Sequence, residues 1–150
     1  MEKFVILAAG LAWLLAQALK SLIARRKHGR VGVVDAFTAT GGMPSSHAAF
    51  VTGLTVAIFA SGGLSLAFVL SLALAILTLR DALGVRKTVD HHAHALNRLM
   101  AVQDADLPPL PTNAGHHPKE VLCGVAIGLC SALLLTQTPI FQGGLHALRS

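Results

Sequence analysis

The sequence predicts an all-α integral membrane protein of about four transmembrane helices, with a cytoplasmic helical extension of the third. Three observations predict it. Apolar residues make up 53% of the chain and charged residues only 13%, against about 25% charged in an ordinary soluble domain. The apolar residues also come in spans: residues 4–23 hold a single charge, Lys20, while residues 48–79 hold none over 32 positions and residues 121–138 again hold none. A bilayer crossing needs about 20 residues, roughly 17–25, so the middle block supplies two crossings, the first of them short. The third observation is where the basic residues lie. Arg25, Arg26, Lys27 and Arg30 follow the first span, and Arg80, Arg86, Lys87, Arg98 and Lys119 lie between the third and fourth. Only Lys3 and Arg149 fall on the opposite side. Excess Lys and Arg mark the cytoplasmic loops, so both large loops are expected in the cytoplasm and both termini outside.

The elements follow in order within one domain, residues 1–150. Helix one is expected at residues 4–24. Its run is too long for a secretory signal, and no small-residue cleavage site precedes the basic cluster. Ala8, Ala12 and Ala16, spaced by four, form a small-residue seam that lets another helix approach closely. Lys20 lies one turn further on, where a lysine either snorkels to the interface or faces a bound anion. Residues 27–40 form a polar connector. Helix two is expected at residues 45–60 and ends in the turn Ser61-Gly62-Gly63. Helix three is expected at residues 64–100, because no proline or glycine pair stops it at Leu79. Beyond that point Arg86 and Asp90 are spaced i,i+4, Val85, Val89, Leu96 and Leu99 give a partial apolar stripe, and Gly84 is the weak point. Residues 103–114, with three prolines and two aspartates, read as a non-helical connector. Helix four is expected at residues 118–138, with Pro118 in its first turn and Gly124 and Gly128 as a close-packing pair. Cys123 and Cys130 lie about 10 Å apart along that helix at 1.5 Å per residue, too far for a mutual disulfide.

The net charge of +5 is accounted for by topology and anionic headgroups. Nucleic-acid binding is disfavoured, because no aromatics are interleaved with the basic residues to stack on bases.

The chemistry-bearing stretch is residues 41–47, GGMPSSH, which runs directly into helix two. Two glycines and a proline set a tight loop at a helix mouth, where free N–H groups and the helix dipole favour an anion. His47 beside it can do proton chemistry near neutral pH. The predicted topology brings this loop to the same face as His116 to Glu120, Asp81 to Arg86 and the end of helix one with Lys20. Two histidines, a carboxylate, an arginine and a lysine around an anion loop suit phosphoryl transfer, with no metal or other cofactor required.

These three segments, GGMPSSH, RDALGVR and GHHPKEVLCG, resemble in content and order the divergent type 2 phosphatidic acid phosphatase family, small relatives of the lipid phosphatases and vanadium haloperoxidases. The resemblance runs from about Ala9 to Leu135. It implies a metal-independent lipid phosphate phosphatase working through a phosphohistidine, best suited to phosphatidylglycerophosphate, with phosphatidic acid or a polyprenyl (pyro)phosphate as alternatives. It implies that His116 is the nucleophile, Glu120 orients it, and His47 is the general acid. Lys20, Ser45, Ser46 and Arg86 would bind phosphate, supported by Asp81, Arg80 and Gly42. The chain departs from the wider superfamily pattern in several places. No proline follows Arg25 and Arg26, and position 110 is Leu110 where an arginine usually precedes the nucleophile. Ser46 stands for Gly and Glu120 for Asp, and four spans replace six.

Three rival readings carry weight. Asp90, His91, His92 and His94, joined by His116 and His117, offer metal-ligating groups, but no open-site triad such as HExxH is present. Ser45 or Ser46 as nucleophile would need a base in reach and a group orienting it, whereas serines at helix starts commonly cap. A non-catalytic protein of the same fold could bind lipid phosphate headgroups through the same groups. The expected setting is a bacterial inner membrane with the site facing the cytoplasm. Lipids are the expected partners, and small-residue seams in a four-span protein suggest a homodimer.

Overall fold

A computed structural model of the chain describes residues 2–28, 42–112, 115, 117–139 and 141. They contain five α-helices and no strand: α1 (Glu2–His28), α2 (Ser46–Gly62), α3 (Leu66–Arg80), α4 (Arg86–Val102) and α5 (Pro118–Thr136). A single π-helical turn, Asp81–Val85, joins α3 to α4, so the two form one continuous rod. Three stretches are long and apolar enough to cross a membrane: Glu2–Arg26, Leu66–Val102 and Pro118–Thr136. The fourth apolar helix, α2, has 17 residues and spans about 25 Å at 1.5 Å per residue, just short of a hydrocarbon core of about 30 Å. The α3–α4 rod has 37 residues and reaches about 55 Å. Its distal half, α4, is therefore the extension beyond the apolar slab. The protein is an integral membrane protein.

The short helix sits in the middle. It packs against α1, α3 and α5, and α1 also meets α5. Small residues make this possible. Ala8, Ala12 and Ala16 of α1 are completely buried, and a Cβ placed on Gly53 of α2 would lie 3.0 Å from the Ala12 Cβ. Across the other face, a Cβ on Gly128 would strike the Ala49 carbonyl oxygen and come within 2.8 Å of the Gly53 nitrogen. The α2–α5 backbones thus touch along a line that no larger residue could occupy. Lipid tails are as apolar as leucine, so such contacts, and not the hydrophobic effect, hold membrane helices together. Large aliphatics accordingly point outward: Leu66, Leu70 and Leu77 of α3 and Leu122 and Leu134 of α5 are all more than half exposed.

Several polar groups inside the bundle bond to nearby carbonyls. Thr55 Oγ1 donates to the Val51 carbonyl at 2.8 Å and lies 3.1 Å from the Ser71 carbonyl of α3. Ser131 and Ser21 each return a hydrogen bond to the carbonyl four residues earlier. At the far end of the bundle from the GGMPSSH loop, Phe4 is buried and its ring lies 4.7 Å from that of Phe141.

Candidate functional site

The three motif segments meet around a small apolar cluster. Ala48, just past the GGMPSSH loop, Ala82 of the π-turn and Val121 at the start of α5 are buried together, with Leu79 and Val125 against them. Ser45 N–H donates to the Glu120 carbonyl at 3.0 Å, a backbone bond between two helix starts. Gly124 lets this happen, since a Cβ there would land on the Ser45 carbonyl oxygen. Ser45 is the N-cap of α2, and its hydroxyl accepts from Ala48 N–H at 3.4 Å. Both Ser45 and Ser46 are buried. Gly42, at φ +84°, turns the chain in a conformation that L side chains rarely adopt.

Lys20 brings α1 into the group. It is buried, and its ammonium feels the charge of Glu120. Glu120 is the third residue of α5, where a carboxylate reaches back to close the helix N-terminus: its Oε2 accepts the His117 N–H at 3.1 Å. Lys20, Glu120 and the Ser45 backbone therefore gather around one helix start, and the positive end of the α5 dipole adds to the field there.

The π-turn decides where Arg86 goes. A π-turn inserts one residue into the helix repeat, so the Arg86 N–H bonds the Asp81 carbonyl. The side chains follow, with Arg86 Nε donating to Asp81 Oδ2 at 2.6 Å. Both side chains are about two-fifths exposed. Beside the i,i+4 spacing to Asp90 that the sequence offers, Arg86 takes a partner five residues back, Asp81. Arg80 is exposed at the end of α3.

His47 lies in an apolar cavity of about 350 Å³ lined by Gly10, Trp13, Phe50, Val51 and Thr78. A second, polar cavity of about 200 Å³ shares no residue with it and is lined by Lys87, Asp90, His91, His94, Gly115 and His117. The chain leaving α4 folds back along that helix to form it. Asn97 Nδ2 donates to the Leu110 carbonyl at 3.0 Å while its Oδ1 accepts the Leu110 N–H at 2.8 Å. Nearer the bundle, Gly115 N–H donates to Asp90 Oδ2 at 3.3 Å. Gly115 lies so close to α4 that a Cβ would come within 2.8 Å of the Lys87 Cα. Leu110, at the position of the superfamily arginine, is thus held through its backbone on the exposed extension.

Of the residues singled out in the sequence, Lys20, Ser45, Ser46 and Glu120 are brought together with Ala82 of the RDALGVR segment. Arg86 and Asp81 pair with each other beside them. His47 opens onto its own cavity, and His116 lies outside the described residues. His91 and His94 join Lys87 and His117 at the polar cavity. Among the described residues no three of His, Cys, Asp or Glu converge as metal ligands, so these imidazoles are spread over the cavity wall. Lys87 and the Asn97–Leu110 clamp escaped the sequence reading. The only signal for Lys87 was its place one residue after Arg86.

The chain belongs to the Divergent PAP2 family, whose family profile matches residues 1–131. A relative from Bacillus subtilis (strain 168), described as the uncharacterized membrane protein YuiD, is 37% identical over 114 aligned residues, covering 65% of this chain and 72% of the relative. No solved structure matches the chain.

Proposed function

We propose that the protein is a lipid phosphate phosphatase that works without a metal through a phosphohistidine. One observation carries the reading: the Ser45–Glu120 backbone bond and the buried Lys20 gather the motif segments of α1, α2 and α5 at one helix start. Family membership supports the same chemistry.

In this reading an imidazole nitrogen of His116 attacks phosphorus and the bond to the lipid oxygen breaks. His47 gives that oxygen its proton, which suits a histidine in an apolar cavity fit for the lipid portion. Water then attacks the phosphohistidine, His47 takes its proton, and inorganic phosphate leaves. Glu120 fixes the α5 start through the His117 N–H. Lys20, Arg86 and the N–H groups of the loop offset the charge on the phosphoryl oxygens. Ser45 and Ser46 act as the frame of that loop. A phosphomonoester on a membrane lipid suits a site at the end of a bundle, with phosphatidylglycerophosphate the first choice and phosphatidic acid or a polyprenyl phosphate next. A bacterial inner membrane with the site on the cytoplasmic side fits the distribution of basic residues.

The test is phosphate release from these lipids by purified wild type, His116→Ala and His47→Ala. The expected result is turnover by wild type, none above background for His116→Ala, and a loss of about 10²–10⁴-fold for His47→Ala. Equal release by all three overturns the reading in favour of a headgroup-binding protein.

A further inference from the structure

Of the residues lining the polar cavity on α4, only His117 figures in the chemistry above, through its N–H, and the cavity's composition is unlike that of the cavity at His47. Four of its lining side chains are basic, Lys87, His91, His94 and His117, against one carboxylate, Asp90. The carboxylate is tied to the Gly115 N–H. The cavity holds about 200 Å³, room for a few waters at about 30 Å³ each and below the roughly 300–1,000 Å³ of pockets that take drug-sized ligands. That size excludes a whole lipid and fits a small oxyanion. Its position is also specific. Gly115 and His117, the two chain neighbours of the proposed nucleophile, both line it.

We propose that this cavity extends the phosphoryl site of the enzyme beyond the loop and Lys20, with Lys87 supplying the cation that the chain lacks at position 110, and His91 and His94 as further hydrogen-bonding partners of the phosphate oxygens. The inference rests on the phosphatase reading and adds to it a residue and a place. Arg86, which the phosphatase reading already gives to the phosphoryl oxygens, shares its charge with Asp81 at 2.6 Å, and Leu110 is bound through its backbone to Asn97. Lys87 is exposed, on a wall of the cavity, and its backbone is the surface on which Gly115 rests. A lysine acts as a compact point charge with three donors, which serves a tetrahedral oxyanion that approaches from varying angles. The Asp90 clamp holds Gly115 against the Lys87 backbone, so the segment leading into α5 stays beside this residue.

The experiment measures inorganic phosphate binding by titration calorimetry, and separately kcat and KM for a short-chain phosphatidic acid, on full-length protein in mild detergent. Wild type is compared with Lys87→Met, Lys87→Arg, the double variant His91→Gln/His94→Gln, and Arg98→Met as a control on the same helix. Lys87→Met is expected to weaken phosphate binding and lower kcat/KM by about tenfold each, the effect of one charge-assisted hydrogen bond. Lys87→Arg recovers most of both, the double histidine variant loses less, and Arg98→Met matches wild type. In wild type the short-chain phosphatidic acid competes with phosphate, whereas the corresponding diacylglycerol does not. Phosphate binding and turnover within twofold of wild type in Lys87→Met would overturn the assignment, as would a failure of the lipid phosphate to compete. Lys87-dependent phosphate binding by a wild type that turns over none of phosphatidylglycerophosphate, phosphatidic acid and a polyprenyl phosphate sinks the phosphatase reading and leaves the pocket standing. Turnover that ignores Lys87 does the reverse.

Discussion

The bundle and the α4 arm are held in shape by opposite means. In the bundle, α2 is locked between α1 and α5 by absent side chains: Ala8, Ala12 and Ala16 on one face, Gly124 and Gly128 on the other. On the arm, the returning chain is fixed by side chains that reach backbone groups, Asn97 on Leu110 and Asp90 on Gly115. The difference follows from the solvent. Inside a bilayer most backbone groups are already satisfied within their own helices, so shape specifies most contacts, with Thr55 reaching the Ser71 carbonyl as a polar addition. Outside the apolar slab the non-helical return segment has unsatisfied N–H and C=O groups, and polar side chains can claim them. The motif residues Lys20, Ser45 and Glu120 stand where the two regimes meet, at the start of α5.

The largest break in this comparison comes from filling the glycine line. Gly128→Leu puts a side chain where the Ala49 carbonyl and Gly53 nitrogen already are, and should destabilise the bundle by about 3 kcal/mol or prevent folding, as severe overpacking does. Reversible unfolding in mixed micelles, or the folded yield, reads this out. A variant as stable as wild type would mean that α2 and α5 do not touch as described. A smaller effect is expected on the arm. Asn97→Ala removes two exposed hydrogen bonds and should cost about 1 kcal/mol locally. Amide exchange at Leu110 should quicken while the bundle's own unfolding stays put. Coupled loss of both would show that arm and bundle are one cooperative unit and blur the distinction drawn here.

Much of the bundle was legible because its signals are local. A seam of alanines at a spacing of four, a glycine pair on the last helix and an apolar run that nothing stops at Leu79 each state a helix face or a length directly. The π-turn was legible only as a weak point at Gly84, which lies within it. Ala82 of that turn is buried against Ala48 and Val121, a tertiary contact, and Arg86 pairs with Asp81 five residues back. The arm was legible only as a proline-bearing connector, because the Asn97–Leu110 clamp joins residues whose separation depends on the path of a coil. For the site, the sequence placed Lys20, the Ser45 loop and Glu120 on one end of the bundle. Capping was the common role expected of a serine at that helix start, and Ser45 takes it, whereas no signal placed Lys87 on a cavity beside His117.

The central claim is that His116 carries the phosphoryl group. Its most direct test is to mix purified protein with a lipid phosphomonoester, quench in alkali, where phosphohistidine survives, and map the modified peptide by mass spectrometry. The account predicts a phosphoryl adduct on His116 in wild type and none in His116→Ala. Turnover without that adduct, or an adduct on Ser45 or Ser46 instead, would contradict it.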